Sequence, residues 1–158
     1  MIMDPAKLRL VIQQTLTPLG IYSANAEELL MATCANESNL GLYKVQAKGG
    51  PAHGIMQIET ATFNDIWANY LAYHQTLGDG IKLLNSGVIG ISSDLDNNDR
   101  YSVAMARVFY MRCPGALPDA GNLDAIWAYY KQYYNTPAGA AVEGIFKYKY
   151  QAYVLGQS

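Results

Sequence analysis

Charge is scarce in this chain. Its 158 residues include 11 Lys and Arg, 13 Asp and Glu and 2 His, a formal net charge of -2. No run of Lys or Arg breaks that balance, so the surface has no basic stripe for a polyanion, and nucleic acid is not an expected partner. Long hydrophobic runs are also missing, none approaching the roughly 20 apolar residues that span a bilayer. The opening Met1-Ile2-Met3-Asp4-Pro5 lacks the basic-then-apolar order of a secretory signal, so synthesis in a cytoplasm without a leader is the expectation. Cysteine is limited to Cys34 and Cys113, whose spacing makes no metal site. Both are read as free thiols, with a disulfide left open. Phe and Trp are few, 3 and 2, against 13 Tyr. Tyr joins a flat apolar face to a hydrogen-bonding tip, which suits half-buried helix faces and equally surfaces that meet sugars.

The 51% of hydrophobic residues is enough for one domain spanning residues 1–158 with a substantial core. Asp4-Pro5 marks a helix start, carried by Leu8, Val11 and Ile12 to about Thr17, with Gly20 at the exit. Asn25 and Glu28 have the spacing of a capping box. After them Leu29-Leu30-Met31-Ala32-Thr33-Cys34-Ala35 carries no charge on any face, which predicts a central helix surrounded by protein. From Gly41 to Ile58 the helical period is lost. Tyr43–Gln46 and Ile55–Ile58, around Gly49-Gly50-Pro51, predict two short strands of a hairpin. Phe63, Ile66, Trp67, Tyr70 and Leu71 recur at helical spacing, predicting a helix from Thr60 that ends by Gly78. Residues 78–98 are rich in Gly, Ser, Asn and Asp and predict a loop with one helical turn, a candidate lid. Helices over Asp99–Arg112 and Leu123–Tyr134 are separated by Pro114-Gly115-Ala116-Leu117-Pro118. Thr136-Pro137 predicts the start of a last helix running to about Leu155.

Glu37 is the carboxylate that stands out. It emerges where the uncharged helix ends, and a helix C-terminus together with apolar surroundings disfavours its ionised form. A carboxyl group kept protonated near neutrality can serve as a general acid, whereas a frayed helix end with a surface Glu is the plain alternative. Asp65, Asp94, Asp96 and Asp99 have no motif support, and the Asp94–Asp99 cluster lacks the Gly and terminal Glu of a calcium loop. It is read as solvated loop. His53 is read as a hydrogen-bonded turn residue that could titrate near neutrality, and Trp67 and Trp127 as core anchors.

Glu37-Ser38, then Gly54-Ile55-Met56-Gln57-Ile58 with Thr60 and Thr62 entering a helix, and finally Tyr133-Tyr134-Asn135 resemble, in order and spacing, the soluble lytic transglycosylase and goose-type lysozyme superfamily. The resemblance covers about residues 22–136. It implies an α+β, predominantly α, lysozyme-like fold with a small β-hairpin. It also implies cleavage of the β-1,4 bond between N-acetylmuramic acid and N-acetylglucosamine in peptidoglycan, with Glu37 as acid and then base and no cofactor or metal. Glu59 follows the Gly-hydrophobic-Met-Gln-hydrophobic block where goose-type lysozymes carry an acidic residue, making it a candidate second carboxylate for hydrolysis. A second acid of that family, upstream of the block, has no counterpart here, and an acidic residue at a helix start is also ordinary. Ser38, Gln57, Met56, Tyr134 and Asn135 are carried over as substrate-binding candidates. Ser38 can equally be a local cap and Met56 a core residue, and Tyr101 is added for its position alone. The glycine that usually follows the Tyr-Asn pair is replaced by Thr136-Pro137.

The expected partner is therefore a peptidoglycan glycan strand, met by a monomer without membrane insertion. Access to the cell wall or periplasm would come through a holin-like route, on a phage virion, or by a separate secretion device. The rival expectations are a hydrolase using Glu37 with Glu59, a noncatalytic wall-binding or virion structural module, and a helical adaptor recognising peptides.

Overall fold

Asp4 is the N-cap of the first helix. Its Oδ1 accepts from the Ala6 amide at 2.9 Å, and Pro5 pre-sets the first helical φ of α1, Pro5–Leu16. A computed structural model of the chain describes residues 2–45 and 49–157. In it the protein is predominantly helical, with one two-stranded antiparallel hairpin. Gly20, at φ +73°, turns the chain into α2, Ala24–Ser38.

α2 is the axis of the molecule. Every residue from Leu29 to Ala35 is buried, as an uncharged run must be if it is not to waste apolar surface on water. α1, α5 (Asp99–Met111), α7 (Glu143–Lys149) and the π-wound segment Tyr150–Val154 pack around it. The N-terminus of α2 departs from the expected capping box. Ser23 is the N-cap, its Oγ accepting from the Ala26 amide at 3.0 Å, while Asn25 instead accepts from the Ala120 amide at 2.9 Å. Glu28 is claimed by tertiary partners. Arg9 donates to Glu27 Oε2 and Glu28 Oε2, at 2.8 Å each, Gln13 and Tyr22 donate to Glu27, and the Tyr150 hydroxyl donates to Glu28. Two acids can sit at the core margin only because their oxygens are matched in this way.

The hairpin lies elsewhere than the apolar pattern predicts. Its strands are β1, Ala52–His53, and β2, Ile58–Glu59, paired Ala52 to Glu59 and His53 to Ile58. Val45 adds only an isolated bridge to His53, and Gln46 lies outside the described residues. Ile55–Gln57, expected within a strand, belongs to the turn Gly54–Gln57, because Gly54 (φ +77°) and Gln57 (φ +49°) reverse the chain. Gly is required at 54: a Cβ there would stand 2.3 Å from Ser102 Oγ and 2.9 Å from the Leu95 carbonyl.

α3, Thr60–Asn69, follows β2 directly. It ends earlier than predicted, and α4, Gln75–Lys82, runs straight through Gly78, where the sequence predicts a helix end. The Cβ-free Gly78 lies close under Trp67 and Leu71, so close packing accounts for it. The expected loop is likewise ordered, with 3-10 turns at Leu83–Asn85 and Ser92–Asn97. Its acids are structural rather than solvated. Asp94 Oδ2 accepts from the Ile91 amide at 3.0 Å, and Asp96 accepts from the Gly54 amide at 3.0 Å and pairs with His53 Nδ1 at 3.1 Å. Asp96 thereby pins the hairpin turn onto the rest of the fold. α6, Leu123–Tyr129, continues as a π-helix over Tyr130–Asn135. Thr136-Pro137 does not start the last helix, which begins at Glu143; Thr136 has φ +77° and ψ 151°, far from helical values. Among the described residues no helix is long and apolar enough to cross a membrane.

Candidate active site

Glu37 sits in the last turn of α2, which closes through Asn39 and Leu40 in left-handed conformation (φ 51° and 55°). Its side chain lines a cleft of about 380 Å³, together with Gln57, Glu59, Thr62, Phe109 and the segment Tyr133–Thr136. Burial pushes its carboxyl up to about 7, and the charge of Glu59 adds to that rise. Two groups oppose it: the Tyr130 hydroxyl, which donates to Glu37 Oε2 at 3.0 Å, and the Lys149 ammonium. Desolvation wins because it penalises the charged form throughout a largely water-excluded site, against one hydrogen bond and one cation. The group is therefore divided between acid and base near neutrality, the condition that proton transfer in both directions requires.

The surroundings explain the geometry. Ser38, next in sequence, is fully buried; its Oγ donates to the Ile55 carbonyl at 2.7 Å and accepts from the Gly41 amide at 2.9 Å. It fastens the end of α2 to the hairpin turn and does not line the cleft, so its assignment as a substrate contact is corrected to a positioning one. Met56 is likewise corrected. Its side chain is in the core and only its carbonyl acts at the site, accepting from the Tyr134 hydroxyl at 2.5 Å. Tyr101 lies in the core, donating to the Ile89 carbonyl at 2.7 Å and accepting from Trp67 Nε1 at 3.0 Å. It cannot meet substrate. The candidate lid is corrected as well, since no residue of 78–98 lines the cleft.

Gln57, Glu59, Tyr134 and Asn135 do line the cleft. The Gln57 amide nitrogen is committed to the backbone, donating to the Gly54 carbonyl at 2.9 Å and the Lys44 carbonyl at 3.1 Å, so Oε1 is its free acceptor. Asn135 is the reverse case. Its Oδ1 accepts from Lys131 Nζ at 2.9 Å and the Ala141 amide at 3.2 Å, which leaves its amide nitrogen as donor. Glu59 precedes α3 as N-cap without a side-chain capping bond, and is exposed.

Tyr130 and Lys149 were missed by the sequence reading. Tyr130 stands one helical turn before Tyr134, and the two rings stack with centroids 5.8 Å apart, so the four-residue spacing held the signal. The structure gives the glutamate contact to Tyr130 and the carbonyl contact to Tyr134. Lys149 donates to the Asn36 carbonyl at 3.2 Å across 113 residues of sequence, with no local signal. Asn36 Nδ2 also donates to the Tyr130 oxygen at 2.8 Å, which fixes the phenol hydrogen on Glu37.

Among the described residues no three His, Cys, Asp or Glu side chains gather as a metal ion would need, and both cysteines are free thiols. No family model matches the chain, and comparisons with curated proteins and with solved structures found no match.

Proposed function

We propose that the chain is a peptidoglycan-cleaving muramidase with a lysozyme-like fold, acting as a lytic transglycosylase. The observation that carries this reading is the carboxyl group of Glu37, half-buried at the end of a core helix, raised to about 7 by desolvation and opening into a cleft. Around it are Phe109, Tyr133 and Tyr134, apolar faces suited to sugar rings, and the free polar ends of Gln57 and Asn135.

In this reading the Glu37 proton passes to the glycosidic oxygen as the bond from the muramyl anomeric carbon breaks and an oxocarbenium-like centre develops. The carboxylate left behind is stabilised by the Tyr130 hydroxyl and Lys149, the same groups that hold its pKa down. It then takes the proton of the muramyl 6-hydroxyl as that oxygen bonds to the anomeric carbon, which gives a 1,6-anhydro end and restores the acid. One carboxyl group performs both transfers.

A second reading rests on Glu59, which lines the same cleft and raises the Glu37 pKa. As a general base it would direct water to the anomeric carbon and yield reducing ends. Digestion of purified sacculi with mass spectrometry of the fragments separates the two, because an anhydro end weighs one water less. Glu37→Gln should lower fragment release at least about 100-fold, the usual scale for loss of a general acid. Wild type and variant that bind sacculi equally and release nothing would make the chain a noncatalytic wall-binding module instead.

A further inference from the structure

The cleft continues beyond the residues around Glu37. Its wall at Thr62 and Phe109 is shared with a second cavity of about 230 Å³, lined also by Asp65, Arg112 and Cys113. Thr62 and Asp65 are three residues apart on α3, and Phe109 and Arg112 three apart at the end of α5. Each pair therefore lies on one helix face, with Asp65 and Arg112 each about 5 Å, one helical turn, from the shared wall along its own helix.

A pair of opposite charges stands at its end. Arg112 Nη2 donates to Asp65 Oδ2 at 2.7 Å, and Asn69 Nδ2 donates to Asp65 Oδ1 at 2.6 Å. The Asp65 and Arg112 side chains are 47% and 28% exposed, and an ion pair this open adds little to stability and can be traded for ligand charges. Only Nη2 of the guanidinium is engaged among the described residues, so Nε and Nη1 remain as donors. An anion entering here meets Asp65, and a cation meets Arg112. A ligand with both charges on neighbouring atoms meets a complement to each.

We infer that this second cavity is a subsite for a zwitterionic amino-acid head group, ammonium and carboxylate on one carbon, borne by the peptide of the glycan substrate. Arg112 takes the carboxylate and Asp65 the ammonium. The inference rests on the muramidase reading, in which the muramyl residue beside Glu37 carries a peptide on its lactyl group. The wall at Thr62 and Phe109, which the cleft and the second cavity share, is the path such a peptide takes from one to the other. The enzyme then selects stem peptides that present such a head group over those ending in an amine alone.

The test uses the full chain carrying Glu37→Gln, which holds ligand without turning it over, and two peptides acetylated at the N-terminus and amidated at the C-terminus. One is L-Ala-γ-D-Glu-meso-diaminopimelate, whose side chain ends in the zwitterion, and the other has lysine at its third position. Titration calorimetry should show the diaminopimelate peptide binding about tenfold more tightly, and Arg112→Gln should abolish that difference. If Arg112→Gln does not fold, Asp65→Asn serves in its place and should weaken both peptides by about tenfold, since both lose the partner of their ammonium. Equal binding of the two peptides, or discrimination that survives Arg112→Gln in a protein melting like its parent, overturns the subsite and leaves the pair as a clasp between α3 and α5. Sacculus cleavage by the wild-type chain is scored separately: cleavage with equal peptide binding removes the subsite alone, whereas neither cleavage nor binding removes both readings.

Discussion

Replacing Tyr130 with Phe removes the hydroxyl that tempers Glu37 and leaves the ring in place. The ring keeps its packing against Trp127, Tyr134 and Phe146, while the oxygen that donates to Glu37 Oε2 at 3.0 Å and accepts from Asn36 Nδ2 at 2.8 Å is lost. The bond to Glu37 favours the ionised carboxylate, so its removal favours the protonated form and the Glu37 pKa must rise from about 7. A hydrogen bond to a charged group contributes about 1.5–3 kcal/mol, and about 1.4 kcal/mol corresponds to one pH unit. The alkaline limb of kcat/KM, which marks loss of the acid form, should therefore move upward by about one to two pH units. The plateau should fall as well. In the proposed reaction the carboxylate that forms in the transition state loses the same stabilisation, and at half-developed charge the rate should fall by about three- to tenfold. Initial rates of soluble-fragment release from sacculi, measured from pH 5 to 10 for both proteins, give limb and plateau together. A limb that stays in place or moves to lower pH would refute the claim that Tyr130 tunes the acid.

Other outcomes follow from the same physics. Glu37 has its folded pKa raised from 4.5 to about 7, so the stability it supplies is complete below about pH 4.5 and is lost as pH rises through 7, a penalty of at most about 3 kcal/mol. Glu37→Gln escapes that penalty, and thermal melts should show its Tm gaining on wild type by roughly 6–12 °C between pH 4.5 and pH 8.5. Gly54→Ala places a methyl group 2.3 Å from Ser102 Oγ at φ +77°; chemical denaturation should show a loss of about 2–5 kcal/mol from overpacking and backbone strain. Thr136→Gly should raise stability by about 1 kcal/mol in the same assay, since φ +77° with ψ 151° is a region that essentially only Gly occupies without strain. Lys149→Met removes a cation that favours the Glu37 carboxylate, so its pH profile should shift in the same direction as that of Tyr130→Phe.

The two ends of the α2 argument show how far local signals reach. A run from Leu29 to Ala35 without a charge can only be stable enclosed by protein, so the burial of the helix and the placement of Glu37 at its end were legible. Its N-cap was not. Ser23 and Asn25 are both good caps, and the choice was made by the remote Ala120 amide, which takes the Asn25 side chain. The turn at Gly54–Gln57 was hidden for a related reason: the apolar residues of Ile55–Ile58 suit a strand and a buried turn equally well, and two left-handed residues decide for the turn. Thr136 occupies a glycine-like conformation that its side chain does not announce, with its ψ suited to the restriction that Pro137 imposes.

From the sequence alone came the helical class, a hairpin between α2 and α3, the central helix and the position of Glu37 at its end. These depend on periodicity, caps and the cost of burying charge, all set within a few residues. The tertiary structure alone decided that Tyr130 rather than Tyr134 holds Glu37, that Ser38, Met56 and Tyr101 are turned inward, and that Lys149 stands close enough to temper the acid. A pKa is a sum over neighbours brought together from distant parts of the chain, and only the packed fold determines which neighbours those are.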